Sequence, residues 1–280
     1  MGNVIIIAKK ELGDLFNSRI VLVVVIAFLI ELFVSLYSSI TLYNHDGVVS
    51  IFGLRENALL KSIIGGLACR LVNYGSITGI IIGLCVLSNE NYHHAMNTLI
   101  TKPVYRDTII NGKILGSVLF LAVTMTFITI IYFAAIFYIV GSSVCSLIVP
   151  LITSLPFVIF SCMVGASVFM ALSLLISNLF KEQSLSVLIV LIVWLLLTQV
   201  IPTTDVAWNI ALFFGNDIFV QRLIENLSPT FLIQRIFWEI PAYDVIGGII
   251  AHTSELIWLF TYLLITVVSS YIIMLRRDIV

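Results

Sequence analysis

One polar stretch decides the fold of this chain; it runs from Ser88 to Lys113 and reads SNENYHHAMNTLITKPVYRDTIINGK. It separates two segments that are apolar enough to span a bilayer. A polar segment of 26 residues between two spans must emerge into water, because the hydrocarbon core solvates neither charges nor free backbone groups. Its basic residues, Lys102, Arg106 and Lys113, lie near the span ends and predict a cytoplasmic location by the positive-inside bias.

The composition of the chain is that of an integral membrane protein. Hydrophobic residues make up 60% and charged residues 10% of the 280 residues, whereas a soluble protein carries roughly 25% charged residues. The formal net charge of -1 provides no basic surface for nucleic acid. We therefore expect an all-α, polytopic protein in the lipid bilayer, with residues 1–280 forming a single domain.

Six apolar runs predict six transmembrane helices. They cover about Ile20–Leu42, Ser62–Leu87, Ile114–Val140, Leu147–Phe180, Leu185–Ile201 and Leu256–Leu275. With this arrangement nine Lys and Arg residues lie on the inner side, four lie on the outer side, and Arg70 falls within a span. The imbalance predicts that both termini are cytoplasmic and that the chain lies in the cell membrane.

Two segments outside the predicted spans have patterns of their own. Residues 1–19 predict an interfacial helix on the cytoplasmic leaflet, with an apolar face opposite a polar one. The apolar face consists of Ile5, Ala8, Leu12, Leu15 and Phe16, and the polar face of Lys9, Lys10, Asp14 and Asn17. Residues 203–255 predict an extracytoplasmic segment, whose apolar pieces at 206–223 and 228–240 are too short or too polar for spans.

Two charged residues fall inside the predicted spans. Glu31 lies near the centre of the first span, where a charged side chain costs about 2.5 to 3.5 kcal/mol on insertion scales, so it must face the helix bundle or be protonated. Arg70 lies in the second span, where in a shorter version of that span its side chain could reach water at the outer interface. The sequence leaves open a pair between the two residues, and both a structural and a transport role for Glu31.

Three glycines in the second span predict close helix packing. Gly75, Gly79 and Gly83 recur every four residues and therefore share one helical face. Small residues at this spacing allow another helix to approach closely. The pattern concerns packing and indicates no chemistry.

The motifs of an enzyme are missing from this sequence. Gly112-Lys113 is not part of a GxxxxGK[ST] phosphate loop, because Ile114 follows it and the required earlier glycine is missing. Glu90 and His93 have the spacing of half a carboxylate-bridged metal motif, and no second copy is present. We therefore expect no catalytic residue, no metal site and no cofactor, and a source of energy outside this chain.

The chain resembles the six-span ABC-2 type transporter permeases over nearly its full length. Four places carry the resemblance: AKKEL at residues 8–12, Glu90 followed by TLITKPVYR at 98–106, Gly112-Lys113 before the third span, and RRD at 276–278. In permeases like these, the inner segment after the second span is a coupling helix seated in a cleft of a separate ATPase subunit. The family usually has Gly followed by Thr or Ser shortly after the acidic residue, whereas this chain has His94-Ala95.

The resemblance implies an ATP-powered transporter, an exporter rather than an importer. Two copies of the chain, or one copy and a paralogue, would form the membrane pathway, and two ATPase subunits would drive it. The implied ATPase-coupling residues are Glu90, Met96, Thr98, Leu99, Ile100, Lys102, Pro103 and Arg106. Two alternatives stay open: an ATP-driven transmitter or membrane scaffold that acts on an outer protein through residues 203–255, and an ion-coupled secondary transporter built around Glu31.

Overall fold

The computed structural model describes residues 2–45, 54–93, 106–140, 148–180, 182–201, 204–214, 218–239 and 250–276. These residues form ten α-helices and a π-helical turn, and no strand occurs among them. The helices are α1 (Gly2–Asn17), α2 (Arg19–His45), α3 (Leu54–His93), α4 (Arg106–Val140), α5 (Ile148–Leu179), α6 (Gln183–Leu195, continued by the π-helical turn Leu196–Val200), α7 (Thr204–Phe213), α8 (Ile218–Asn226), α9 (Pro229–Glu239) and α10 (Thr253–Arg276).

The long helices confirm an all-α polytopic membrane protein. Five stretches are long and apolar enough to cross a membrane: Ile64–Val86, Thr108–Ile136, Ile152–Leu179, Gln183–Val200 and Thr253–Ile273. A sixth candidate is the pair α1 and α2, which are bent by 65° at Ser18. Taken together as one broken span, they are also long and apolar enough to cross a membrane. The predicted first span lies within α2, and the other five predicted spans overlap the five stretches.

The α5 helix is the centre of the bundle. Of its membrane-spanning window 72% is buried within the protein, compared with 17% for the windows of α6 and α10. Its principal neighbour is α3. The Cys162 thiol of α5 donates to the Ala68 carbonyl of α3 at 3.9 Å, in a buried apolar cluster that also contains Leu67 and Leu71. The exposed sides of α6 and α10 are therefore left for lipid or for other chains.

The α9 helix lies inside the bundle, although it belongs to the segment expected to be extracytoplasmic. Its residues Leu232, Ile233 and Ile236 are fully buried, and the helix contacts α3, α5 and α10. The Ile233 side chain occupies the space that a side chain on Gly165 of α5 would need. An 11-residue helix is about 16 Å long, which is too short to cross a bilayer, so α9 packs among the spans without being one.

Candidate functional site

The coupling segment, Ser88–Lys113, joins two of the spanning helices. Its first residues continue α3 as far as His93, and its last residues begin α4 at Arg106. Glu90 therefore lies in the last turn of α3, and Arg106 is the first residue of α4. The other predicted coupling residues, Met96, Thr98, Leu99, Ile100, Lys102 and Pro103, lie outside the described residues, as do His94 and Ala95.

A buried lysine connects the two helices that lead into the coupling segment. The Lys113 ammonium of α4 donates a hydrogen bond of 3.1 Å to the backbone carbonyl of Val86 in α3. It also lies 3.8 Å from a carboxylate oxygen of Glu11 in α1. Only 9% of the Lys113 side chain is exposed, so these groups compensate a charge that would be costly to bury alone.

The start of α4 is in close contact with α1. A side chain on Gly112 would meet the side chain of Ile7, and one on Gly116 would come within 2.8 Å of the backbone carbonyl oxygen of Ala8. Farther along, the rings of Phe16 and Phe120 meet edge to face with centroids 4.8 Å apart. This contact was not predicted from the sequence, although Gly112 and Gly116 have the same four-residue spacing of small residues as the glycines of the second span.

The α1 helix divides its apolar residues between two environments. Ala8 and Leu15 are buried in the protein, whereas Ile5 and Phe16 are exposed. Glu11, which falls in neither of the faces predicted from the sequence, lies on the protein side close to Lys113. One side of α1 thus contacts α4, to which Phe16 also reaches with part of its ring, and the side with Ile5 remains open to lipid.

The glycine face of α3 lies directly against α5. A side chain on Gly79 would collide with the backbone carbonyl of Ala166, and one on Gly83 would collide with the Ser173 hydroxyl and come within 2.6 Å of the Met170 carbonyl oxygen. At Gly75 the nearest atom is the terminal methyl of the Met125 side chain, 2.5 Å from the position of a Cβ. The two helical backbones therefore come closest at Gly79 and Gly83.

The two intramembrane charges are neighbours. The Arg70 guanidinium in α3 donates to the Glu31 carboxylate in α2, with 38% and 24% of the two side chains exposed. Tyr74 is close enough to interact with both charges, and Tyr132 of α4 is close enough to interact with Arg70. This polar cluster joins α2, α3 and α4 within the membrane-spanning part of the protein.

Other polar contacts attach α3 and α6 to their neighbours. Asn73 of α3 accepts a hydrogen bond of 3.4 Å from Gln234 of α9, and Ser76 accepts one of 2.8 Å from the Trp194 indole of α6. In the π-helical turn, the Leu197 carbonyl accepts a bond of 2.5 Å from the Ser228 hydroxyl at the start of α9. The π-helical turn thus binds the start of α9 through a backbone carbonyl. This contact was not predicted from the sequence.

A small apolar groove lies between α2, α3 and α4. Phe28, Phe120 and Met125 contribute to its walls, along with two threonines. Both threonine hydroxyls donate to carbonyls of their own helices, Thr78 to Gly75 and Thr124 to Phe120. The groove therefore presents no free donor to a polar solute, and among the described residues no group of three or more His, Cys, Asp or Glu side chains could hold a metal ion.

A family model described as "ABC-2 family transporter protein" matches residues 5–279, which is nearly the whole chain. No curated protein matches.

Proposed function

The chain belongs to the ABC-2 family of transporter proteins, and on this premise we propose that it is the permease subunit of an ATP-driven exporter that works with separate ATPase subunits. The observation that carries the proposal is the extent of the match, which covers every spanning helix and the segment between the second and third spans. A match of this extent covers all the membrane-spanning helices together and does not depend on a single motif.

A separate ATPase is part of the proposal because this sequence contains no phosphate loop. Six spans amount to half of the membrane pathway of such a transporter, so we propose that a second copy or a paralogous permease completes it. The weakly buried windows of α6 and α10 offer surfaces for a second chain. Nucleotide binding would displace the ATPases, and the coupling segment would pass this displacement to α3 and α4.

We propose that the coupling segment docks on the ATPase through an apolar anchor and a charged rim. Met96, Leu99 and Ile100 would insert into a cleft of the ATPase, while Glu90 would lie at the rim together with Lys102 and Arg106. Thr98 and Pro103 complete the set by resemblance to the family. A buried anchor can cost more than about 2 kcal/mol of binding when truncated, whereas rim charges mostly tune association.

Leu99→Asp tests the docking proposal. We expect this variant to insert in the membrane normally and to lose ATPase copurification, because it places a charge in an apolar cleft. Asn97→Asp is the matched control, since it adds the same charge in the same segment without removing an anchor. Glu90→Lys should weaken ATPase stimulation in a salt-dependent manner. Unchanged copurification and stimulation with Leu99→Asp would show that the docking assignment is wrong.

The proposed topology is tested by labelling from one side of the membrane. In a cysteine-free variant, a single cysteine at Asn226 should react with a membrane-impermeant maleimide in sealed cells, because we place residues 203–255 outside. A cysteine at Asn97 should react only after permeabilisation, which also serves as the control for reactivity. Reaction of Asn97→Cys in sealed cells would overturn the cytoplasmic position of the coupling segment.

A transmitter that acts on an outer protein is the second candidate, and the surface of α7 and α8 favours it. Trp208, Phe213 and Phe219 are exposed there, and aromatic side chains are common anchors in protein interfaces. Reconstitution separates the two functions, since an exporter moves a solute in proteoliposomes that contain only the permease and its ATPase. ATP hydrolysis that changes an outer partner without moving any solute would favour the transmitter.

A further inference from the structure

We propose that Lys113 is a positioning residue that holds α1, the inner end of α3 and the start of α4 as one mechanical unit, so that displacement of the coupling segment moves α1 and, through it, α2. The proposal rests on the proposed function, because it concerns how motion at the ATPase reaches the spans. It assigns a role to the Gly112-Lys113 pair that the docking proposal leaves unexplained.

The Lys113 hydrogen bond joins α3 and α4 at the same distance from the two helix ends. Val86 lies seven residues before the end of α3 at His93, and Lys113 lies seven residues after the start of α4 at Arg106. Each helix therefore extends about 10 Å beyond the bond toward residues 94–105. A force on those residues acts on two helix ends of equal length that are joined at their base, so α3 and α4 respond together.

The contact between α4 and α1 holds these two helices together. Gly112 and Gly116 bring α4 against the backbone of α1, where a Cβ would lie 3.1 Å from the Val4 carbonyl oxygen and 2.8 Å from that of Ala8. Between these two glycines Lys113 faces Glu11 at 3.8 Å. Backbone contact on both sides of a charge pair resists both sliding and rotation of α1 on α4.

A single residue outside both helices, Ser18, connects α1 to α2. The chain bends by 65° at Ser18, whose amide donates to the Leu15 carbonyl and whose carbonyl accepts from the Leu22 amide. The turn thus has hydrogen bonds on both sides and passes displacement of α1 on to α2. The Glu31 ion pair lies about 20 Å along α2 from Ser18, and the part of α2 before it meets α3 and α4 along the apolar groove through side chains such as Phe28. These apolar contacts permit sliding more readily than fixed polar contacts do.

Distances between spin labels test the rigid unit. Cysteines replace the exposed Ile6 of α1 and Leu115 of α4 in a cysteine-free background, and labelled chains are diluted among unlabelled ones in liposomes with the copurifying ATPase. We expect the same distance without nucleotide and with ATP plus vanadate. With Lys113→Met, ATPase copurification should persist while this distance becomes broad and dependent on nucleotide. Lys113→Arg, which keeps the charge and the donors, should restore the fixed distance.

The motion passed to α2 is measured with a second pair, Val23→Cys in α2 and Ile272→Cys in α10, because Ile272 is exposed and lies outside the proposed unit. ATP should change this distance in the otherwise unaltered chain, and in Lys113→Met the population of the ATP-induced distance should fall about tenfold, as expected for loss of one charge-assisted hydrogen bond. Lys10→Met is the matched control, because it removes the same charge from an exposed position on α1. Glu11→Gln provides a second test if Lys113→Met does not fold.

The outcomes separate this proposal from the one on which it rests. Failure of the unaltered chain to copurify with any ATPase contradicts the proposed function, and the inference falls with it. Copurification together with a nucleotide-dependent distance between Ile6→Cys and Leu115→Cys in the otherwise unaltered chain contradicts the inference alone. So does a fixed distance that is retained in Lys113→Met and in Glu11→Gln.

Discussion

Gly79→Ala should destabilise the helix bundle by about 3 kcal/mol or more, at the upper end of what overpacking costs in protein cores. The added methyl group would collide with the carbonyl of Ala166 and lie 3.3 Å from the amide nitrogen of Met170. Both groups belong to the backbone of α5, the most deeply buried span, so no side-chain rotation relieves the collision. The two helices must separate, and the contact at the centre of the bundle is lost.

Four of the five glycines of α3 form an internal series for this measurement. Gly83→Ala should be nearly as damaging, because it meets the carbonyl of Met170, whereas Gly75→Ala should cost about 1 kcal/mol, since the Met125 side chain can turn away. Gly66 has no neighbouring atom within 4 Å of a Cβ. Gly66→Ala is therefore the matched control and should stabilise α3 slightly, by up to about 1 kcal/mol.

The variants are compared by their thermal stability in detergent. It is measured as the fraction of protein that remains monodisperse after heating. The expected order of stability is Gly66→Ala, then Gly75→Ala, then Gly83→Ala, then Gly79→Ala. A Gly79→Ala variant as stable as the Gly66→Ala control would show that α3 and α5 do not meet at this face.

Arg70→Met should destabilise the protein by about 3 kcal/mol, the low end of the range for breaking a buried ion pair, because the arginine is partly exposed. The substitution keeps a long apolar stem and leaves the Glu31 carboxylate without its cationic partner inside the membrane. An unpaired carboxylate at this depth must take up a proton or draw in water, and either costs free energy.

The double variant Arg70→Met with Glu31→Gln shows whether stability depends on the interaction between the two residues or on each residue alone. It should recover most of the stability lost in either single variant, because replacing both partners removes the stranded charge. Additive losses in this double-mutant cycle would mean that the two residues stabilise the protein independently.

The same double variant tests the ion-coupled alternative. If Glu31 only stabilises the bundle, the double variant should retain ATP-dependent activity once its stability is recovered. A stable but inactive double variant would indicate that Glu31 acts in transport itself.

The sequence alone determined the class of the fold and the position of the spans. A spanning helix satisfies all its backbone hydrogen bonds internally and must be apolar over about 20 residues, so each span is a local property that can be read from its own residues. For the same reason α3, α4, α5, α6 and α10 overlap their predicted spans. The repeat of Gly75, Gly79 and Gly83 likewise showed which face of α3 carries small residues.

Only the tertiary structure decided which elements meet. The glycine face could have met any helix, and the structure selects α5; Lys113 could have faced water, and the structure places it between Val86 and Glu11. Residues 229–239 are too short for a span, and α9 nevertheless lies in the bundle because neighbouring helices cover its apolar side chains and give partners to Gln234 and Ser228. Such choices depend on shape and polar complementarity between residues far apart in the chain, which the periodicity of a single helix does not contain.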